Sequence, residues 1–252
     1  FENLALLAGE LVKAKAEVIV TAGTAATGAA RRASATLPIV AVTMGDPVAS
    51  GFAESLARPG RNVTGFTAMG SAAYEKRLEL LVEALPGAKK IGMLGNPNRD
   101  FFLRVLPGLE AAAKQQGREL SVVNVRSERD LAEGFSNLAT RRVDAVLIGD
   151  DRFSKTQVAK IAALALKHRM PAVFPVLRGA DHGGLIGLAS NRQYRYQSAA
   201  LYVHRILGGE KPGELPIGPP VRLDVAVNQK TAAALGIALP PAIVARAVKV
   251  IE

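Results

Sequence analysis

The apolar residues of this chain come in short unbroken runs, and that constrains its fold more than any other feature. Residues 18–20, 38–43, 90–94, 120–125, 143–148 and 172–174 are rich in β-branched side chains and mostly apolar at successive positions, not alternate ones. A strand is apolar on both faces only where both faces are covered, as in a parallel sheet between helix layers. The segments between these runs have a different period. Leu4, Leu7, Ala8, Leu11 and Val12 follow helical spacing, and so do Leu78, Leu81, Val82 and Leu85. Leu131, Phe135 and Leu138, then Val158, Ile161 and Ala165, then Ala199, Ala200, Val203, Ile206 and Leu207 repeat it. A strand–helix–strand rhythm of this kind predicts an α/β protein.

Three stretches interrupt the rhythm. Residues 45–67 predict a short helix, the turn Arg58-Pro59-Gly60-Arg61-Asn62, and a brief strand over 63–66. Residues 175–191 are glycine-rich around a strand at 185–188, and residues 208–220 form a connection rich in Pro and Gly. A sheet that simply continued would need a helix after each strand, so these stretches read as crossings between two lobes. The expected division is 1–67 with 189–212 for the first lobe and 68–188 with 213–252 for the second. In the tail, Val221, Leu223, Val225 and Val227 alternate with Arg222, Asp224 and Asn228, which predicts a strand wet on one face at a sheet edge. A helix over about residues 241–251 is expected to close the chain.

Composition removes several classes of function. There is no cysteine, so thiolate metal sites, iron–sulfur clusters and cysteine nucleophiles are excluded, and the three histidines are dispersed. No cofactor or metal is predicted. No apolar run approaches the roughly 20 residues of a membrane-spanning helix. Lys and Arg total 32 against 22 Asp and Glu, a net charge of +10. The basic residues come singly or in pairs such as Arg31-Arg32 and Arg141-Arg142, without the continuous stripe that phosphate backbones need, so no nucleic-acid partner is predicted. Phosphate loops, nucleophile elbows, HExxH and strand-linked GxGxxG motifs are all absent from the sequence.

The candidate binding residues stand where the predicted strands end, because open α/β sheets bind ligands at the carboxyl ends of their strands. Thr21-Ala22-Gly23-Thr24 joins a strand to a helix; its small residues let backbone N–H groups approach an anion, and Thr24 can add a hydroxyl. Gly23 and Thr24 are therefore either an anion seat or a plain turn. Asp46, ahead of Pro47, is a ligand contact or a helix cap. Asn96 and Asp151 occupy equivalent strand ends further along; Asp151 suits a cationic group or a cap, and Ser154 could cap that helix by itself. Phe153 and Phe174 are candidates for an apolar part of a solute, with core packing the alternative for Phe174. Arg192 opens Arg192-Gln193-Tyr194-Arg195-Tyr196, where basic and aromatic residues interleave. Asn62-Val63-Thr64 is formally a glycosylation sequon.

Taken in order, the segments resemble a known family. The sequence 38–48 through Gly45-Asp46-Pro47-Val48, then Ser55-Leu56-Ala57-Arg58-Pro59-Gly60-Arg61-Asn62-Val63-Thr64-Gly65, is similar to a signature of the substrate-binding proteins of ABC importers that include tryptophan- and tyrosine-uptake members. Leu80-Leu81 with Pro86-Gly87-Ala88-Lys89, Asp144-Ala145-Val146-Leu147, Lys211-Pro212 and Leu235-Gly236 extend the resemblance over essentially the whole chain. It implies a periplasmic-binding-protein-like fold of two lobes, each a mostly parallel sheet flanked by helices, with a ligand cleft between them. It also implies a periplasmic or otherwise extracytoplasmic location, capture of a small solute such as an amino acid or another carboxylate, and delivery to a membrane permease. An enzyme or a ligand-sensing regulatory domain on the same kind of lobes is the alternative, disfavoured by the missing catalytic pairs and helix-turn-helix pattern. Two departures stand out. The export signal and opening strand–helix–strand usual in the family are not in this sequence, so the first lobe is expected to be incomplete and to self-associate through exposed sheet edge. Leu188-Ala189-Ser190-Asn191-Arg192 replaces a Ser-Tyr-Gly-like segment of the family.

Overall fold

The computed structural model describes residues 3–67, 70–97, 100–218 and 222–252. Asn98 and Val221, which the sequence places in a strand-end turn and in the last predicted strand, lie outside the described residues. The chain divides into two compact units, Phe1–Gly70 with Ser190–Arg222 and Ser71–Ala189 with Leu223–Glu252.

The first unit runs α1 (Leu4–Lys13), β1 (Ile19–Ala22), α2 (Thr24–Ala33), β2 (Ile39–Met44) and β3 (Val63–Thr67). Its three strands are parallel, in the order β1-β2-β3. The unbroken apolar run of β2 is explained by what lies on either side of it. Ile39 and Ala41 enter one core with Ile19, Ala30 and Phe52, whereas Val40 and Val42 enter another with Phe66, Ala199, Ile206 and Leu215. Gly65 sets the spacing of β2 and β3: its φ is +123°, and a Cβ there would come within 2.1 Å of the Ala41 carbonyl oxygen. Residues 45–62 form successive turns and not the expected short helix: after a single helical bond from Ser50 N–H to Asp46 O, Gly51 takes φ +69° and the N–H groups of Phe52 and Ala53 turn back to Pro47 O.

Residues 213–218 hydrogen-bond within this first unit, although the sequence reading assigns them to the second. Thr64 Oγ1 donates to Leu215 O at 2.7 Å, Thr67 N–H to Gly218 O at 3.0 Å, and Ile217 N–H to Leu56 O at 2.7 Å. Residues 213–218 are thus a strap along β3.

The second unit continues with α3 (Gly70–Ala84), β4 (Lys90–Gly95), α4 (Asp100–Gln115), β5 (Glu119–Asn124), α5 (Asp130–Thr140) and β6 (Ala145–Ile148). Then come α6 (Arg152–Thr156), α7 (Val158–Lys167), β7 (Ala172–Phe174), α8 (Arg178–Asp181) and β8 (Ile186–Ser190). After α9 (Arg192–Leu207), which belongs to the first unit, come β9 (Leu223–Asn228), α10 (Gln229–Leu235), α11 (Pro241–Ala245) and β10 (Lys249–Ile251). The seven strands are ordered β10-β9-β8-β7-β6-β4-β5. Again alternate residues of one strand supply two cores: Ala145 and Leu147 of β6 pack with Leu78, Leu81 and Met93, and Val146 and Ile148 pack with Leu131, Phe135 and Ile161.

The tail departs from expectation. β9 is an interior strand, flanked by β8 and β10, and Asp224 and Asn228 on it are buried. The predicted closing helix stops at Ala245, and Lys249–Ile251 pair in parallel with β9. Asn228 is accommodated because its side chain works at both ends: Oδ1 accepts from Thr231 N–H and caps α10, and Nδ2 donates to Ala180 O at 2.8 Å.

Replacing Gly65 by alanine is expected to destabilise the protein by about 2–4 kcal/mol, since a positive φ and a backbone clash coincide there. The control is Gly87→Ala, where an added Cβ meets nothing within 4 Å, and a change within about 0.5 kcal/mol is expected. Urea unfolding of both variants measures the difference.

Candidate functional site

In the first unit, β1 ends at Ala22 and Gly23 turns the chain into α2 with φ +99° and ψ 152°. The first helical bond of α2 is Thr27 N–H to Gly23 O, so the N–H groups of the preceding turn point out of the helix end. Two threonines hold this turn. Thr27, fully buried, donates its hydroxyl to Gly23 O at 3.0 Å and shares a hydrogen bond with the Thr21 hydroxyl at 2.8 Å. Thr24 Oγ1 accepts from Gly45 N–H at 2.8 Å, tying the end of β1 to the end of β2 and leaving its hydrogen to donate elsewhere. Thr24 itself is exposed. A cavity of about 460 Å³ lies beside it, lined by Leu4, Ala5, Ala25, Gly28, Ala29, Arg32, Ser50 and Phe52 as well as Thr24.

Asp46 is exposed and its carboxylate is engaged by the turn that follows, the capping alternative of the sequence reading. Arg192 opens α9 behind the N-cap Asn191, whose Oδ1 accepts from Tyr194 N–H at 2.6 Å. Its guanidinium lies 5.8 Å from the centre of the Tyr196 ring one turn on. Arg192 is exposed, and Tyr196 is a covering ring of the kind that arginine stacks on.

In the second unit, adjacent strands β4 and β6 deliver Asn96 and Asp151 to their carboxyl ends. Asn96 is buried. Asp151 is half-buried and caps α6 reciprocally with Ser154: Asp151 Oδ1 accepts from Ser154 N–H at 2.7 Å, and Ser154 Oγ accepts from Asp151 N–H at 3.3 Å. The serine hydroxyl also donates to Gly149 O at 2.5 Å. Phe153 is partly buried beside the core. Phe174 is different: it has no exposed surface, and a Cβ on Gly179 or Gly184 would fall within 2.2 Å or 2.5 Å of its atoms. It fills the core beneath the strand end and presents nothing to a solute, so it leaves the set of candidate contacts.

One cluster escaped the sequence reading. Asp150, next to Asp151, takes Arg77 Nη2 on Oδ2 and Lys155 Nζ on Oδ1, both at 2.5 Å, and its N–H donates to the Tyr74 hydroxyl at 2.8 Å. Burial pushes the Asp150 carboxyl up, but the charges of Arg77 and Lys155 outweigh it and hold the group below its ordinary value. The Tyr74 phenol, chiefly through burial, is pushed up to about 12. A signal was available: Tyr74, Arg77, Leu78 and Leu81 share helical spacing, so an arginine stands in the buried stripe of α3.

Among the described residues no group of three or more His, Cys, Asp or Glu side chains could hold a metal ion. No helix among them is long and apolar enough to cross a membrane. What the strand ends present is hydrogen-bond donors at the α2 terminus in one unit and, in the other, the half-buried Asp151 carboxylate with Phe153 two residues on.

The two roles available to Asp151, cap and charge, separate in mutants. Asp151→Ala is expected to cost about 0.5–2 kcal/mol of stability, and Asp151→Asn much less, since asparagine caps nearly as well. Thermal unfolding of the two variants side by side tests this.

The sequence profile of the family described as ABC transporter substrate binding protein matches residues 1–251. The chain is 24% identical over 229 residues to a tyrosine-binding protein of Clostridioides difficile (strain R20291), covering 91% of this chain and spanning 66% of that relative's length. Among solved structures it is similar to an ABC domain in complex with L-Trp from Streptococcus pneumonia, with a TM-score of 0.75 and 22% identity, covering 99% of this chain and 84% of that one. It is also similar to a ligand-free, open substrate binding protein with adhesive properties from Clostridium difficile, with a TM-score of 0.86, 24% identity, and coverage of 100% and 83%. These likenesses show the periplasmic-binding-protein fold, and with a profile match over essentially its whole length the chain belongs to the ABC transporter substrate binding protein family.

Proposed function

We propose that this chain captures an aromatic amino acid outside the cytoplasm and delivers it, chemically unchanged, to the permease of an ABC importer. The observation that carries the reading is the chemistry of the strand ends, each unit taken by itself. The first unit presents the open N–H groups of α2 behind Gly23, with the Thr24 hydroxyl oriented by Gly45, which suits a carboxylate. The second presents the half-buried Asp151 carboxylate, which suits an ammonium group, and the ring of Phe153, which suits an apolar side chain. An amino acid with an aromatic side chain carries one group of each kind. The relatives named for tyrosine and solved with L-Trp support the same class. Asn96 and Arg192 remain second-rank contacts, the one buried and the other exposed over Tyr196. Among the described residues at the strand ends, the Ser154 hydroxyl stands 3.2 Å from the Asp151 carboxylate but is buried and given to Gly149 O, an arrangement that caps a helix and supports binding without turnover.

Self-association belongs to the same proposal. Among the described residues β1 stands at the edge of its sheet, Val20 on it is 50% exposed, and Leu7 and Leu11 of α1 are 51% and 44% exposed. An open edge in a unit that also exposes leucines is a template for pairing with another chain. Sedimentation equilibrium is expected to show dimers growing with concentration, and Val20→Lys to reduce them; a monomer at every concentration removes this part.

For solute binding, calorimetric titration with L-tyrosine and L-tryptophan is expected to give one site per chain. At a hundred times Kd, either ligand should add about 2.7 kcal/mol of stability. Asp151→Asn should weaken binding by about 1.5–3 kcal/mol, the worth of a charge-assisted bond. Mass spectrometry should recover the ligand unaltered. Binding of sugars in place of amino acids, or recovery of a converted product, overturns the reading.

A further inference from the structure

Arg77 is 3% exposed, and among the described residues its Nε and Nη1 have no hydrogen-bond partner. Its polar contacts are therefore concentrated on one carboxylate, Asp150, with the face of Tyr74 5.0 Å from the guanidinium carbon. Burying an arginine for a single ion pair is a poor route to stability, since an apolar side chain of similar volume often serves as well or better. The return lies in what Asp150 is attached to. Residues 149–154 form the turn from β6 into α6, and among the described residues β4 and α3 hold it from outside. Gly149 N–H donates to Leu94 O at 2.8 Å, and Ser154 binds Gly149 and Asp151 within the turn. From α3, Tyr74 takes the Asp150 N–H while Arg77 takes the Asp150 carboxylate. Lys155, on α6 itself, holds the other carboxylate oxygen from a half-exposed position.

We propose that Arg77 is a positioning residue for solute binding: by gripping Asp150 from α3 it fixes the β6–α6 turn, and with it the carboxylate of Asp151 and the ring of Phe153. The inference rests on the reading that the solute is met by Asp151. It makes α3, a helix with no residue among the proposed contacts, the support on which they are set.

Among the described residues the groups set against the Asp150 carboxylate are Arg77 and Tyr74 from α3 and Lys155 from α6, with Asp151 acting on the Tyr74 phenol. In the wild type, Asp150 has a folded value below its ordinary 3.8. Its contribution is complete above that ordinary value and is lost only as the pH falls through the depressed one. In Arg77→Gln the largest opposing charge is gone while burial remains, so Asp150 takes up a proton at higher pH than before.

The test is amide hydrogen exchange by NMR together with titration of L-tyrosine, across about pH 4 to 7, on wild type, Arg77→Gln, Arg77→Lys and Lys155→Gln. Arg77→Gln is expected to lower protection of the Ser154 amide, relative to the Leu147 amide in β6, by about tenfold or more, and to weaken L-tyrosine about tenfold. Both losses, each taken relative to the wild type at the same pH, should deepen as the pH falls. Arg77→Lys should restore part of each, and Lys155→Gln, which removes the exposed arm, should do less than Arg77→Gln. If Arg77→Gln does not fold, Asp150→Asn keeps the arginine, removes the gripped charge, and should lower Ser154 protection by the same order. Unchanged Ser154 protection with a flat pH profile in the folded variant means that Arg77 only packs, and overturns the inference. Failure of the wild type to bind L-tyrosine would count against the solute reading alone, because the exchange measurement judges the grip without a ligand.

Discussion

Burial of each strand on both faces is the constraint from which the rest of the molecule follows. In β2 and β6 successive side chains leave for opposite cores, so neither strand has a wet face. Main-chain polar groups are then satisfied in the ladder, and polar side chains find room mainly where a strand ends and a helix begins. That is why Thr24, Asp46, Asn96, Asp151 and Asn228 all stand at such junctions, and why most of them cap or brace as well as face outward. Structure and binding draw on the same few side chains, and a residue such as Asp151 has one oxygen committed to its helix.

The Asp150 cluster is the exception that this constraint makes conspicuous. A cation and a carboxylate lie under a strand end that is otherwise closed by apolar packing, with a phenol whose ionisation burial pushes out of reach. Such a pair is strongly directional where apolar contacts are not. It ties one helix to one turn with a direction that apolar packing alone does not set.

How much of this could be read from the sequence follows the range over which each signal acts. The runs 38–43 and 143–148 give their strands away because double-sided burial leaves a local mark, and the stripes of α5 and α7 do likewise. Asp224 and Asn228 misled, because alternation looks the same whether the polar side is wet or is buried with partners supplied from elsewhere in the chain. The last strand misled because three residues, Lys249–Ile251, carry too little pattern to stand apart from a helix that precedes them. Arg77 went unread because counting apolar positions scores an arginine as solvent-facing by default. The bond from Thr24 to Gly45 spans 21 residues and exists only through the register of β1 against β2, which no spacing rule contains. Phe174 was placed at its strand end correctly, but the two glycines that close over it come from the α8 region and make it core.

Asn62 carries a consequence of another kind. Its side chain is buried, and Nδ2, the atom to which a glycan would be joined, donates to the carbonyls of Ser34 and Leu37 at 3.1 Å and 2.7 Å. The following Thr64 is buried as well, its hydroxyl held by Leu215. The Asn62 amide is therefore a chemical target only while it is released from Ser34 and Leu37. In a cell that modifies such sequences during translocation, addition of sugar would compete with burial for that amide, and every modified chain would be one in which it no longer braces the turn ahead of β2.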